Sequence, residues 1–177
     1  MSSHDRGHVE RVVRLARYIA VREGADVEVV EAAAELHDLA RGEAGHARRG
    51  AERAREILRA RGHPEEFIER VVHCIEAHSF SEGVEPRTLE AKVLSDADKL
   101  DAIGAIGVAR TFMFSGENGR SLEETLLHFE RKLLALHERL YTATARELAA
   151  PRTRFLREFY RRLVEELEFP GGGDERR

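Results

Sequence analysis

Val27-Glu-Val-Val-Glu-Ala-Ala-Ala-Glu-Leu-His-Asp-Leu-Ala40 is the stretch that decides how this chain is read. Val29, Val30, Ala32, Ala33, Ala34 and Leu36 put apolar side chains around much of the circumference of a helix. A helix of that kind is central rather than peripheral. Near its end stand His37 and Asp38, an imidazole beside a carboxylate, which are expensive to bury unless something compensates both. Three- and four-residue apolar spacing also fills nearly every interval between Pro64, Pro86, Pro151 and Pro170. The fold class expected is all-α, a single-domain helical bundle.

Outward from that helix, Val9, Val12, Val13, Ala16, Ile19 and Ala20 share one face of a first helix, closed by Gly24. An Arg-rich helix is expected over 47–61, and a fourth after Pro64 carrying Phe67, Ile68, Val71, Val72 and Ile75. Residues 79–86 read as a loop. A fifth helix starts at Leu89 and continues into the small-residue stretch 101–107, where glycines allow close helix contact. Residues 115–119 form a turn-rich loop. Two amphipathic segments follow, one with Leu122, Leu126, Phe129, Leu133, Leu136 and Leu140, the other after Pro151 with Phe155, Leu156, Phe159, Leu163 and Leu167. These stripes read as core, the domain as residues 1–170, and 171–177 as a flexible polar tail.

The chain has 177 residues, 42% hydrophobic and 35% charged, which suits one compact domain and excludes a disordered chain or a membrane protein. Basic residues number 29 against 33 acidic, so nothing in the net charge of −4 favours nucleic acid or a membrane surface as partner. Phosphate binding therefore has to be local. Cys74 is the lone cysteine, which excludes an internal disulfide, and no signal-peptide pattern opens the chain. A cytoplasmic location is expected.

The chemistry is concentrated in a few residues. His8 lies on the first helix, and Asp96, Asp98 and Asp101 fall within six residues on a fifth helix that is otherwise apolar. Asp98 and Asp101 project from the same side, whereas Asp96 points about 160° away from Asp98 at 3.6 residues per turn. A lone histidine is usually packed or solvated, His37-Asp38 can be a capping pair, and the three acids can pair with arginines. Taken together, two imidazoles and two carboxylates make a mixed N/O site suited to manganese, iron, cobalt, nickel or zinc, with positions left for water and a substrate oxygen.

In order along the chain, His8, His37-Asp38 and Asp98 resemble the H…HD…D signature of HD-domain metal-dependent phosphohydrolases, an all-helical superfamily. The resemblance extends to a short bacterial branch through His4-Asp-Arg-Gly-His-Val-Glu-Arg-Val12, His78-Ser-Phe-Ser81 and Phe129-Glu-Arg-Lys-Leu-Leu-Ala-Leu136. Most specific is Glu90-Ala-Lys-Val-Leu-Ser-Asp-Ala-Asp-Lys-Leu-Asp-Ala-Ile-Gly-Ala-Ile-Gly107. It implies His8, His37, Asp38 and Asp98 as ligands of one divalent ion, manganese favoured and magnesium tolerated. It further implies a phosphorylated small-molecule substrate, a nucleotide such as a deoxynucleoside triphosphate, cleaved at a phosphoester or phosphoanhydride bond.

A metal in that site activates water as the nucleophile. Asp101, one turn past Asp98, either takes the water's proton or orients a ligand, with the first slightly preferred. His78 continues the apolar line of Val71 and Ile75 inward, where it can protonate a leaving oxygen or hold a phosphate. Lys99 and Arg11 are the phosphate donors expected, ahead of Arg41 and Arg110. His46, His73 or His78 would be needed for a second metal, and one metal is favoured. A phosphodiesterase or an alarmone hydrolase on the same fold is the competing enzymatic reading. A non-catalytic scaffold is the competing reading of another class, disfavoured because all four ligand positions are filled. Monomer and homodimer both remain open.

Overall fold

The computed structural model describes residues 6–79 and 82–168, which form eight α-helices and one short 3-10 segment with no strand among the described residues. In chain order these are α1 (Arg6–Glu23), α2 (Val27–Leu36), α3 (His46–Ala60), α4 (Glu65–Ala77), α5 (Leu89–Asp101), α6 (Gly104–Glu117), α7 (Leu122–Arg131), the 3-10 segment (Leu133–Arg139) and α8 (Ala143–Leu167). The expected tail at 171–177, like His4, lies outside the described residues.

The core lies where α1, α2, α4 and α5 meet. Val12, Ala16 and Ile19 of α1, Val29, Val30 and Ala33 of α2, Ile68, Val71 and Ile75 of α4, and Val93, Leu94 and Leu100 of α5 are fully buried. Asp26 starts α2 by accepting from the backbone N–H groups of Glu28 and Val29 at 3.1 and 3.3 Å, so its carboxylate takes up donors that the first turn leaves unpaired. The helix stops at Leu36, four residues earlier than its apolar pattern suggests, and residues 37–40 continue as turns.

Two other boundaries differ from the sequence expectation. The fifth helix does not run through 101–107 but ends at Asp101, and α6 sets off from Gly104 at φ +76°. Close packing fixes this corner: a Cβ added at Gly107 would lie 2.3 Å from the Ala102 carbonyl oxygen, and one at Gly104 would lie 3.0 Å from Arg152 Cγ. Pro151, expected to precede the last helix, lies inside α8. The missing N–H is tolerated because the two turns before it are anchored. Thr142 caps the helix at Ala145 N, and Asp96 in turn accepts from Thr142 N and Oγ1 (2.8 Å each) and from Tyr141 N (2.9 Å). The stripes of the last segments are only partly core: Phe129, Leu133, Leu136, Leu140 and Leu156 are buried, but Leu122, Phe155 and Leu167 are exposed. The Leu122 stripe is also split between α7 and the 3-10 segment.

Candidate metal centre

His8 comes from the first turn of α1, His37 and Asp38 from the end of α2, and Asp98 from the last turn of α5. The structure brings these four side chains together. His8 Nε2 lies 3.4 Å from His37 Nε2, 3.4 Å from Asp38 Oδ2 and 3.5 Å from Asp98 Oδ1. His37 Nε2 lies 3.6 Å from Asp38 Oδ1. His8, His37 and Asp98 each offer one atom to a group that can hold a metal ion, all within 4.8 Å of one another, and Asp38 closes on both histidines from the side. Donors bound to one ion at about 2.1 Å sit about 3.0 Å apart at right angles and about 3.4 Å apart in a tetrahedron. The observed spacings fit such an ion.

Tautomers give a second, independent test. His37 Nδ1 lies 2.7 Å from the Ala34 carbonyl oxygen, which only accepts, so Nδ1 carries the proton. His8 Nδ1 lies 2.8 Å from Asp101 Oδ2 and donates to that carboxylate. In the neutral imidazoles both Nε2 atoms therefore present bare lone pairs, facing each other and two carboxylates in a buried space. A divalent cation would satisfy all four acceptors at once.

Burial alone would push the Asp38 carboxyl up, but any imidazolium charge on His37 and His8, together with the Arg41 guanidinium, outweighs it and holds the group below its usual range in the ion-free protein. The same contest, with any imidazolium charge on His37, His78 and His8 and the charge of Arg41 on the other side, leaves Asp98 well below the usual carboxylate range in the ion-free protein. Arg41 donates to Asp38 Oδ1 at 2.9 Å, so one cation already attends the site from the turn after α2.

Asp101 does not face the same space as Asp98. Its buried carboxylate accepts from His8 Nδ1, from Arg11 Nε at 2.7 Å and Nη2 at 3.1 Å, and from Arg110 Nη1. Burial would raise this carboxyl; the bonds from His8 and Arg11 and the charge of Arg110 bring it instead to about 2. Arg11, expected at the substrate, is thus engaged on Asp101. Lys99 is buried, donating to Ser95 Oγ at 2.6 Å with its ammonium 4.8 Å from the Tyr141 ring centre, while Ser95 Oγ donates to the His78 carbonyl. Asp96 belongs to the anchor of α8 described above, on the opposite side of α5 from the ligands.

His78 is buried, its Nδ1 donates to the Ile75 carbonyl, and its ring stands 5.2 Å from that of His37. Burial lowers its pKa, so the ring is neutral with Nε2 bare. Next to it, 5.6 Å between ring centres, stands His46, whose Nδ1 is 3.0 Å from Glu82. His73 lies elsewhere, accepting from Arg87 N.

A cleft of about 830 Å³ opens over this row, lined by Asp98, His78, His46 and Lys99 and by Arg41, Arg131, Lys132 and Arg139. A smaller space of about 220 Å³ continues from Asp98 and Arg41 toward Arg110, Thr111, Phe114 and Arg120. Arg131, Lys132 and Arg139 were not among the residues singled out from the sequence. Arg131 and Lys132 lie within the Phe129–Leu136 stretch that carries the family resemblance, but by charge alone all three are indistinguishable from surface residues in a chain with 29 basic residues.

A model of the HD domain matches residues 6–103. The Bacillus subtilis protein YpgQ is 41% identical over 179 residues, spanning 96% of this chain and 86% of its own. The crystal structure of YpgQ in complex with ADP superimposes with a TM-score of 0.80 at 38% identity, covering 96% of this chain and 92% of that one. An HD-superfamily hydrolase of Bacillus thuringiensis gives a TM-score of 0.75 at 33% identity, covering 93% and 86%. The matched span runs from the first turn of α1 to the residue before Gly104, the stretch that carries all four converging side chains, and the chain belongs to the HD-domain family of metal-dependent phosphohydrolases.

Proposed function

We propose that this chain hydrolyses a phosphoanhydride or phosphoester bond of a nucleotide, most specifically as a (deoxy)nucleoside triphosphate pyrophosphohydrolase, with a divalent ion held by His8, His37, Asp38 and Asp98. The observation that carries the reading is that Asp98, where the four donors converge, lines a cleft that also carries Arg41, Arg131, Lys132 and Arg139. Such a set of cations neutralises a chain of phosphates. The YpgQ structure in complex with ADP supports a nucleotide as the ligand.

When bound, the ion lowers the pKa of a coordinated water and polarises a phosphoryl oxygen. The residues of the chain supply the rest. Asp101 and the Ala34 carbonyl fix the Nδ1 protons of His8 and His37, keeping both Nε2 atoms turned inward. Asp101 is thereby a positioning residue rather than the proton acceptor, since both its oxygens are already taken. The acceptor that remains is His78 Nε2, a bare nitrogen lining the cleft within one ring of His37. A neutral His78 takes up the proton of the nucleophile; it does not supply one to the leaving oxygen. Lys99 braces Ser95, and so the His78 carbonyl, more than it binds substrate.

The test is a release assay on purified protein against nucleoside mono-, di- and triphosphates and cyclic dinucleotides, with manganese, cobalt, nickel, zinc, magnesium or chelator. Pyrophosphate from triphosphates, abolished by chelator, is the expected product. Orthophosphate alone, or cleavage of phosphodiesters only, would overturn the pyrophosphohydrolase assignment.

A further inference from the structure

A second cavity, of about 660 Å³, lies between the 3-10 segment and one face of α8 and shares no lining residue with the metal-site cleft. Its walls carry Arg146, Arg154, Arg157 and Arg161 against a single carboxylate, Glu158, which is already paired with Arg161 and Arg162. Its floor is Ala149, Ala150 and Thr153, small enough to admit a ligand between the guanidinium groups.

Two buried polar atoms on this wall have no partner among the described residues, His137 Nδ1 and Thr153 Oγ1. The first can be assigned a proton. Arg157 Nη2 lies 3.2 Å from His137 Nε2, and a guanidinium only donates, so Nε2 accepts and Nδ1 bears the hydrogen. Thr153 is 95% buried by its 5% exposure, and its hydroxyl, which in mid-helix would ordinarily bond back to the preceding turn, does not. Arg154 makes no hydrogen bond or ion pair among the described residues. The cavity therefore has a surplus of donors and positive charge and a deficit of acceptors, the reverse of the metal centre.

We infer that this cavity binds the phosphate group of a small anion, held by His137 Nδ1, the Thr153 hydroxyl and the guanidinium groups of Arg154 and Arg157. Donors reach it from two elements in different planes, which a tetrahedral anion satisfies and a planar carboxylate does not. A volume of this size also has room for more than the phosphate itself. Free phosphate, pyrophosphate and a nucleoside monophosphate share the recognised chemistry.

The experiment uses the full chain stripped of metal by chelation, so that the cleft holds no ion to capture phosphate. Orthophosphate, pyrophosphate and adenosine monophosphate are titrated separately by calorimetry, and which of them saturates at one per chain identifies the source. The expected result is one saturable site, weakened at least tenfold by Arg154→Ala/Arg157→Ala and unchanged by Arg131→Ala/Lys132→Ala in the cleft. Nitrogen-15 spectra of His137 keep the idea testable should the double variant misfold: phosphate must shift the Nδ1 resonance of the native chain. No saturable binding by any of the three anions, binding lost in the cleft variant instead, or an unmoved His137 signal would each overturn the assignment.

Discussion

Replacing Asp101 by Asn separates a positioning role from a proton-accepting one. The carboxylate is 2% exposed and bonds His8, Arg11 and Arg110, so no oxygen is left to face the cleft. Asparagine keeps one acceptor oxygen but presents an amide N–H₂ where three donors converge, so His8 loses the group that fixes its Nδ1 proton. Loss of such an outer partner lowers metal affinity by about 10- to 100-fold, or about 1.4 to 2.7 kcal/mol. The upper part of that range is expected here, because two arginines are stranded along with the histidine. Manganese affinity is measured by calorimetry on the stripped protein, and turnover is then measured at saturating metal, where it should recover to within about tenfold of the native value. Unchanged affinity with turnover down by about 10²-fold or more at saturation would refute the argument and return Asp101 to the chemistry.

Asp38→Ala should abolish metal retention, read by elemental analysis, with little loss of thermal stability, since the acid is tolerated there chiefly through the ion. His78→Gln should keep metal content and lower turnover by about 10²- to 10⁴-fold, flattening the acid limb of the pH–rate profile if the neutral ring is the acceptor. Asp96→Ala should leave metal affinity unchanged and destabilise the fold by about 3 to 5 kcal/mol in urea titration, from about 1.5 to 3 kcal/mol for each charged hydrogen bond discounted for their sharing one carboxylate. The Cys74 thiol is pushed up to about 12 by burial and by the Glu90 charge, so the folded state favours the protonated form. Its stabilising contribution is present at neutral pH and is lost as pH rises from the ordinary thiol value toward 12; native protein at pH 8 should resist a thiol-specific reagent that labels it readily in denaturant.

What the sequence could show follows the range of the interactions. Periodicity made the bundle legible because burial of α2 and α4 depends on residues three or four apart. The His37-Asp38 pair was legible because adjacency is local. Helix boundaries failed where distant atoms decide them: Pro151 is carried inside α8 because Asp96, 46 positions before Thr142, anchors the helix start. The α5–α6 corner exists because Gly107 presses on the Ala102 carbonyl, a contact that small-residue composition suggests without placing. Asp101 was seen as an acid near Asp98, but its engagement depends on His8, 93 residues away, and on Arg11. The exposed Phe155 and Leu167 show the same limit, since a stripe's spacing does not say whether a neighbour covers it.

The corner at Gly104 divides the chain by task. Every residue proposed to hold the ion or accept a proton lies before it, inside the span shared with the HD domain, while Arg131 on α7, Lys132 in the turn after it and Arg139 on the 3-10 segment lie after it. Asp96 pins α5 to α8 from the side away from the ligands, so within residues 104–140 the ligand register leans on Arg110, which donates to Asp101, and on the Gly107–Ala102 contact. Drift or grafting within that interval that spares Arg110 and Gly107 can therefore exchange one phosphorylated compound for another while the hydrolytic half is inherited intact.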